Sequence, residues 1–149
     1  MSTTNMHLAV TDRPLDGNSA LEFCSAPGHG AVDLFIGRVR DFNQGRSVVG
    51  VSYDLHAALC RNVFAEIAAE ALDRWGRETR LWLTHRSGRL DVGEASVVAA
   101  ASSRHRDEAF KACRYLVEQM KHRAPIWKQE HYVDGDSEWV KGHALCGHG

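Results

Sequence analysis

From Leu59 to Trp75 one apolar face returns every four residues: Leu59, Val63, Ile67, Ala71 and Trp75, flanked by Phe64, Ala68 and Leu72. That spacing predicts an amphipathic helix, and Gly76 supplies its stop. The stripe has to be buried against a second layer. That layer is expected to be a sheet, because the neighbouring segments alternate. Val32, Leu34 and Ile36 alternate with their neighbours as a strand requires, and the same parity carries Arg38 and Arg40 if no bulge intervenes at Gly37. Residues 48–54 follow the polar turn Asn43-Gln44-Gly45-Arg46 and read as the return arm of a hairpin. Two more strands, about 80–86 and 95–101, flank a turn holding Gly88 and Gly93. The second is apolar on both parities and is expected at the centre of the sheet.

A second long helix is expected from an N-cap at Ser103 to about His122, with Asp107 and Glu108 in the first turn, where negative charge suits the helix dipole. Phe110, Cys113, Val117 and Met120 form its inward stripe and are read as core rather than as a cofactor-binding face. Pro125 cannot continue this helix and biases Ala124 toward extended geometry, so the chain should leave the helix near Arg123 and re-emerge as a strand over 126–131. That turn brings Lys128 back beside Lys121. An amine at the end of a helix and another on the following strand can share one pocket, whereas lysines placed without such a turn are usually solvated charges.

Strands and helices interspersed in this way give an α+β or α/β domain. At 149 residues the chain has the length of one domain. Residues 1–29, punctuated by Pro14, Gly17 and Pro27, read as a flexible arm with at most one short element near 21–24. Residues 30–141 form the expected domain, and 142–149 are expected to be a disordered tail whose His143, Cys146 and His148 chelate metal weakly at best. A net charge of −1 argues against a general nucleic-acid binder, which needs a strong basic excess. Cys24, Cys60, Cys113 and Cys146 lack the paired spacing of zinc ribbons or redox motifs, so no metal or cofactor is expected. The first thirty residues show neither a basic leader joined to an apolar core nor a membrane-spanning run, and a cytoplasmic location is expected.

Four stretches carry a resemblance. They are Gly37-Arg38-Val39-Arg40-Asp41; His85-Arg86-Ser87-Gly88-Arg89-Leu90 with Val92-Gly93-Glu94; Ser103-Arg104-His105-Arg106 with Ala109-Phe110; and Lys121 through Pro125 to Trp127-Lys128. In this order, from about residue 30 to 141, they resemble the large, catalytic subunit of molybdopterin synthase. The resemblance implies an α/β hammerhead fold, and the fold expected is a single α+β domain with a mixed, mainly antiparallel sheet and two main helices. It also implies a homodimer within a heterotetramer. The implied activity is sulfur transfer from the C-terminal Gly-Gly thiocarboxylate of a small ubiquitin-like carrier to cyclic pyranopterin monophosphate, building the molybdopterin dithiolene.

Such chemistry needs a slot for an extended tail, a cationic seat for phosphate and a proton-handling group. Lys121 and Lys128 match the family's two active-site lysines. Two ammonium groups in one pocket each disfavour charge on the other, which suits acid/base work. Arg40, His105 and Arg106 are the expected substrate-binding residues: the start of the second helix favours an anion, and Arg40 offers a bidentate contact. Residues 126–132 and Trp139 are expected walls for the carrier's tail. Two rivals are a paralogue delivering sulfur to another metabolite and a non-catalytic module that only binds a ubiquitin-like partner. The lysines at both positions speak against the module. Arg106 and Lys121 are fifteen residues apart on one helix, roughly 22 Å at 1.5 Å per residue. A pocket shared across a two-fold interface is therefore expected, with the lysines from one subunit and His105 and Arg106 from the other.

Overall fold

The structure, a computed structural model, describes residues 5–141. In chain order its elements are β1 (Met6–Thr11), α1 (Gly17–Phe23), β2 (Ala31–Arg38), β3 (Phe42–Asn43), β4 (Arg46–Leu55), α2 (Ala57–Trp75), β5 (Arg80–Arg86), β6 (Gly88–Asp91), β7 (Ala95–Ser103), α3 (Arg106–Arg123), β8 (Ile126–Tyr132), β9 (Gly135–Asp136) and β10 (Val140–Lys141). One sheet has the order β1-β5-β7-β2, in which β1 runs parallel to β5 and the other pairs are antiparallel. A second, antiparallel sheet has the order β10-β8-β4-β3, with β6 added to β4 and β9 to β8. The α+β class and the mainly antiparallel mixed pairing follow the sequence expectation.

β7 lies inside the first sheet because neither of its faces meets water. Val97, Ala99 and Ala101 face the core under α2 and α3, while Val98 and Ala100 face Ala20 and Cys24 at α1. Small side chains along 99–101 let both layers approach closely. The α2 stripe seals the first core, although its axis runs one residue row beyond the expected one. Cys60, Phe64, Ile67, Ala68, Ala71 and Leu72 are buried, whereas Leu59 is half exposed. Removing the Phe64 ring would cost about 3 to 5 kcal/mol by transfer and cavity terms together. Gly76 ends the helix at φ 120°, with its N–H on the Leu72 carbonyl at 3.0 Å.

Four expectations need correction. Residues 6–23 are not a loose arm: Met6, Leu8 and Val10 alternate into the main core, and Asp16 caps α1 by accepting from the Asn18 N–H at 2.9 Å. The hairpin does not join β2 to β4 in one sheet. A register shift between Gly37 and Arg38 breaks the expected parity, and the chain then crosses to the second sheet. There the short β3 turns into β4 through Gln44 and Gly45, at φ 53° and 76°, the left-handed pair of a tight hairpin turn. Ser103 is not the N-cap of α3. It is buried at the end of β7, paired with Ala31, and His105 occupies the cap without a side-chain cap bond. Phe110, one position off the Ala109-Ala112-Cys113-Leu116 row, turns outward and is 57% exposed.

Among the described residues no helix is long and apolar enough to cross a membrane. Residues 142–149, expected as a tail, lie outside the described residues, as do His143, Cys146 and His148.

Candidate active site

Pro125 does what its chemistry requires. Ala124 caps α3 in an extended conformation (φ −75°, ψ 138°), with its N–H on the Met120 carbonyl at 3.0 Å, and β8 starts at Ile126. The residues on either side of the turn, Ala124 and Ile126, line a cavity of about 340 Å³ between the two sheets. Lys121 from the last turn of α3 and Lys128 from β8 both line it. So does Arg40, from the crossover between β2 and β3, together with Arg38. The bulge at Gly37 breaks the parity that was to align these two arginines, yet both reach the cavity. An apolar wall of Val39, Val48, Val51, Val97, Met120 and Ile126 completes it.

The charges are unevenly matched. Arg38, Arg40, Lys121 and Lys128 face a single carboxylate among the lining residues, Glu130. Lys128 is 7% exposed, and its Nζ lies 3.7 Å from Glu130 Oε1. A buried ammonium requires such a counter-charge. The surplus of positive charge in a half-dry space favours an anionic ligand.

His85, on β5, also lines the cavity and was not singled out as a site residue from sequence. It is 4% exposed, edge-on to Tyr53 with ring centres 5.0 Å apart. Burial pushes its imidazole down from 6.5 to about 4; the bond to the Arg86 carbonyl opposes this, and the fields of Lys121 and Lys128 reinforce it. The ring is therefore neutral at neutral pH. Because a carbonyl only accepts, Nδ1, 2.8 Å from the Arg86 oxygen, carries the proton. The available signal was an imidazole inside an apolar strand. Asn43, Tyr53 and Glu130 were missed as well.

His105 and Arg106 are absent from the cavity wall: both are exposed at the opposite end of α3. Of the expected walls for the carrier's tail, Ile126, Lys128 and Glu130 line the cavity, while Trp127 and Trp139 are nearly half exposed outside it. Among the described residues no group of three or more His, Cys, Asp or Glu side chains is placed to hold a metal ion. Cys24, Cys60 and Cys113 are buried unpaired thiols, and burial pushes Cys24 up to about 12, so it stays protonated at neutral pH.

The family model described as MoaE protein matches residues 10–123. The molybdopterin synthase catalytic subunit of Synechococcus elongatus is 48% identical over 133 residues, covering 89% of this chain and 81% of that protein. The catalytic subunit of Emericella nidulans is 36% identical, covering 97% of this chain and 73% of its own length. Among solved structures, molybdopterin synthase from Staphylococcus aureus superposes with a TM-score of 0.83 at 30% identity, over 89% of this chain and 95% of that one. A complex of subunits 1 and 2 of molybdopterin-converting factor from Helicobacter pylori matches with a TM-score of 0.71 at 26% identity, over 87% of each chain. The family match begins inside β1, in keeping with an N-terminal segment that is part of the packed domain. This chain belongs to the MoaE family.

Proposed function

We propose that this chain is the catalytic subunit of a molybdopterin synthase, a sulfurtransferase that builds the dithiolene of molybdopterin. The observation that carries the reading is the meeting of Lys121, Lys128 and Arg40 on one cavity. The substrate is cyclic pyranopterin monophosphate, and the sulfur donor is the C-terminal Gly-Gly thiocarboxylate of a small ubiquitin-like carrier. The thiocarboxylate sulfur attacks an acceptor carbon of the precursor, so a C–S bond forms as a C–O bond breaks. A lysine ammonium gives the departing oxygen its proton. Water then cleaves the acyl–sulfur bond, returning the carrier as a carboxylate and leaving sulfur on the pterin. Lys121 and Lys128 supply and retrieve the protons of these two steps.

Arg40 holds the anionic end of the precursor. His105 and Arg106 belong to the same seat through a second copy of the chain, because one compact ligand cannot bridge both ends of α3. Several features support a contact at that end. Gly30 N–H bonds to the Arg104 carbonyl at 3.2 Å and Ala31 pairs with Ser103, which sets the outer edge of β2 beside the start of α3. Val32 and Phe110, 46% and 57% exposed, offer apolar surface to cover. An isologous dimer then builds two equivalent pockets. A cytoplasmic, reducing location is part of the same reading, supported by three unpaired buried cysteines.

Incubation of the protein with thiocarboxylated carrier and the precursor tests this directly. Dithiolene product is expected. A complex that forms with the carrier and yields no product would leave a binding module as the better reading.

A further inference from the structure

The cavity contains an arrangement that neither the lysines nor the anion seat explains. Arg40, exposed, and Glu130, buried, line the same cavity, and a guanidinium within reach of a carboxylate can close into a bidentate pair. Here it does not. Asn43 stands between them, 9% exposed on the short strand β3. Its Oδ1 accepts from Arg40 Nη2 at 3.3 Å. Its Nδ2 donates to the Tyr132 hydroxyl at 3.2 Å and lies 3.5 Å from Glu130 Oε1. This orientation of the amide is the one the neighbours permit, since a guanidinium only donates and a carboxylate only accepts.

We propose that Asn43 is a positioning residue that insulates Arg40 from Glu130, keeping the guanidinium open to the anionic end of the precursor. Glu130 is the one carboxylate among the residues lining the cavity, so it is the one group there able to quench Arg40. Asparagine suits the task for a specific reason. It presents an acceptor to the cation and a donor to the anion, and it is itself uncharged. An aspartate of the same shape would pair with Arg40 and repel Glu130. An alanine would leave a gap one amide wide, which the long stem of Arg40 can cross to reach the carboxylate. Glu130 meanwhile stays beside Lys128, at 3.7 Å. The tight Gln44–Gly45 turn that follows fixes Asn43 at the start of the hairpin and so holds the insulator in register.

Asn43's role presupposes the proposed anion seat at Arg40, and the test separates the two. The dissociation constant of cyclic pyranopterin monophosphate is measured for the full chain as wild type, Arg40→Ala, Asn43→Asp, Asn43→Ala and Asn43→Ala/Glu130→Gln. Asn43→Ala and Asn43→Asp should each weaken binding about tenfold, the worth of one weakened charge-assisted hydrogen bond. Glu130→Gln should restore most of the affinity to the Asn43→Ala protein, because the quenching carboxylate is gone. Loss of packing alone would lower the melting temperature and would not be rescued in this way. If Asn43→Ala does not fold, the isosteric Asn43→Asp carries the test. Wild-type affinity in Arg40→Ala overturns the seat itself. Weak binding in Arg40→Ala with wild-type affinity in both Asn43 variants overturns the insulator while the seat stands. Equal weakness of Asn43→Ala and the double variant also overturns it.

Discussion

Replacing His85 with asparagine should remove a specific part of the protein's sensitivity to acid. The imidazole is buried, and burial first, then the fields of Lys121 and Lys128, bring it from 6.5 down to about 4. In the unfolded chain it takes up a proton as pH falls through 6.5; in the folded chain it resists until about 4. The unfolded state therefore binds the proton first, and stability declines over that interval by about 1.4 kcal/mol per pH unit, roughly 3 kcal/mol in all. Above 6.5 and below 4 the contribution is flat. Asparagine keeps a donor for the Arg86 carbonyl and cannot titrate. The assay is urea unfolding at fixed protein concentration between pH 7.5 and 5.0, so that subunit association does not vary the result. His7 is also pushed down by burial and acts in the same direction, which is why the difference between the two proteins is the quantity to read. Glu70 does not interfere. The Arg123 hydrogen bond, aided by Tyr115, holds it at about 2, so its contribution is present above 4.5 and is lost only below that. Between pH 6.5 and 5.0 wild type should lose about 2 kcal/mol more than His85→Asn. Parallel stability curves would mean that His85 is hydrated or already charged in the folded protein, and the account of a buried neutral ring would be wrong.

Arg40→Ala, His105→Ala and Arg106→Ala should each weaken precursor binding about ten- to a hundredfold while leaving carrier binding intact, as expected for lost charged hydrogen bonds. Unchanged affinity in all three, read by equilibrium titration, would remove the anion seat. At a precursor concentration too low for Arg106→Ala to turn over, mixing it with inactive Lys121→Ala should restore part of the activity, because some mixed dimers carry one intact pocket. Demonstrated subunit exchange without returning activity would refute the shared site.

What could be read from the sequence is what is decided locally. The exit from α3 depends on Pro125 and its neighbour, and so the placing of Lys121 and Lys128 on one cavity was visible in advance. The α2 stripe and the Gly76 stop are equally local. The centrality of β7 followed from apolar residues on both parities. Features set by distant pairing were not visible. Met6, Leu8 and Val10 alternate plainly enough, yet their partner is the parallel strand β5 more than seventy residues later, and Pro14 and Gly17 drew the segment toward a loop reading. The crossing from β2 to the second sheet turns on the shift at Gly37; the glycine marks a place for a bulge, but nothing local says which sheet the chain joins next. Ser103 is a good capping residue, but pairing with Ala31 claims it for β7. On the cavity, Lys121 and Lys128 were anticipated from the Pro125 turn together with the family resemblance, and Arg40 from the resemblance. Asn43, His85 and Glu130 were not, because their meaning arises only when β3, β5 and β8 enclose one cavity.

The most direct measurement is single-turnover formation of dithiolene by wild type and Lys121→Ala, each saturated with thiocarboxylated carrier and precursor, with carrier affinity and thermal stability measured alongside. The account predicts that Lys121→Ala binds the carrier and melts as wild type does but forms no product, with Lys128→Ala severely slowed. Product formed by Lys121→Ala at the wild-type rate would contradict it.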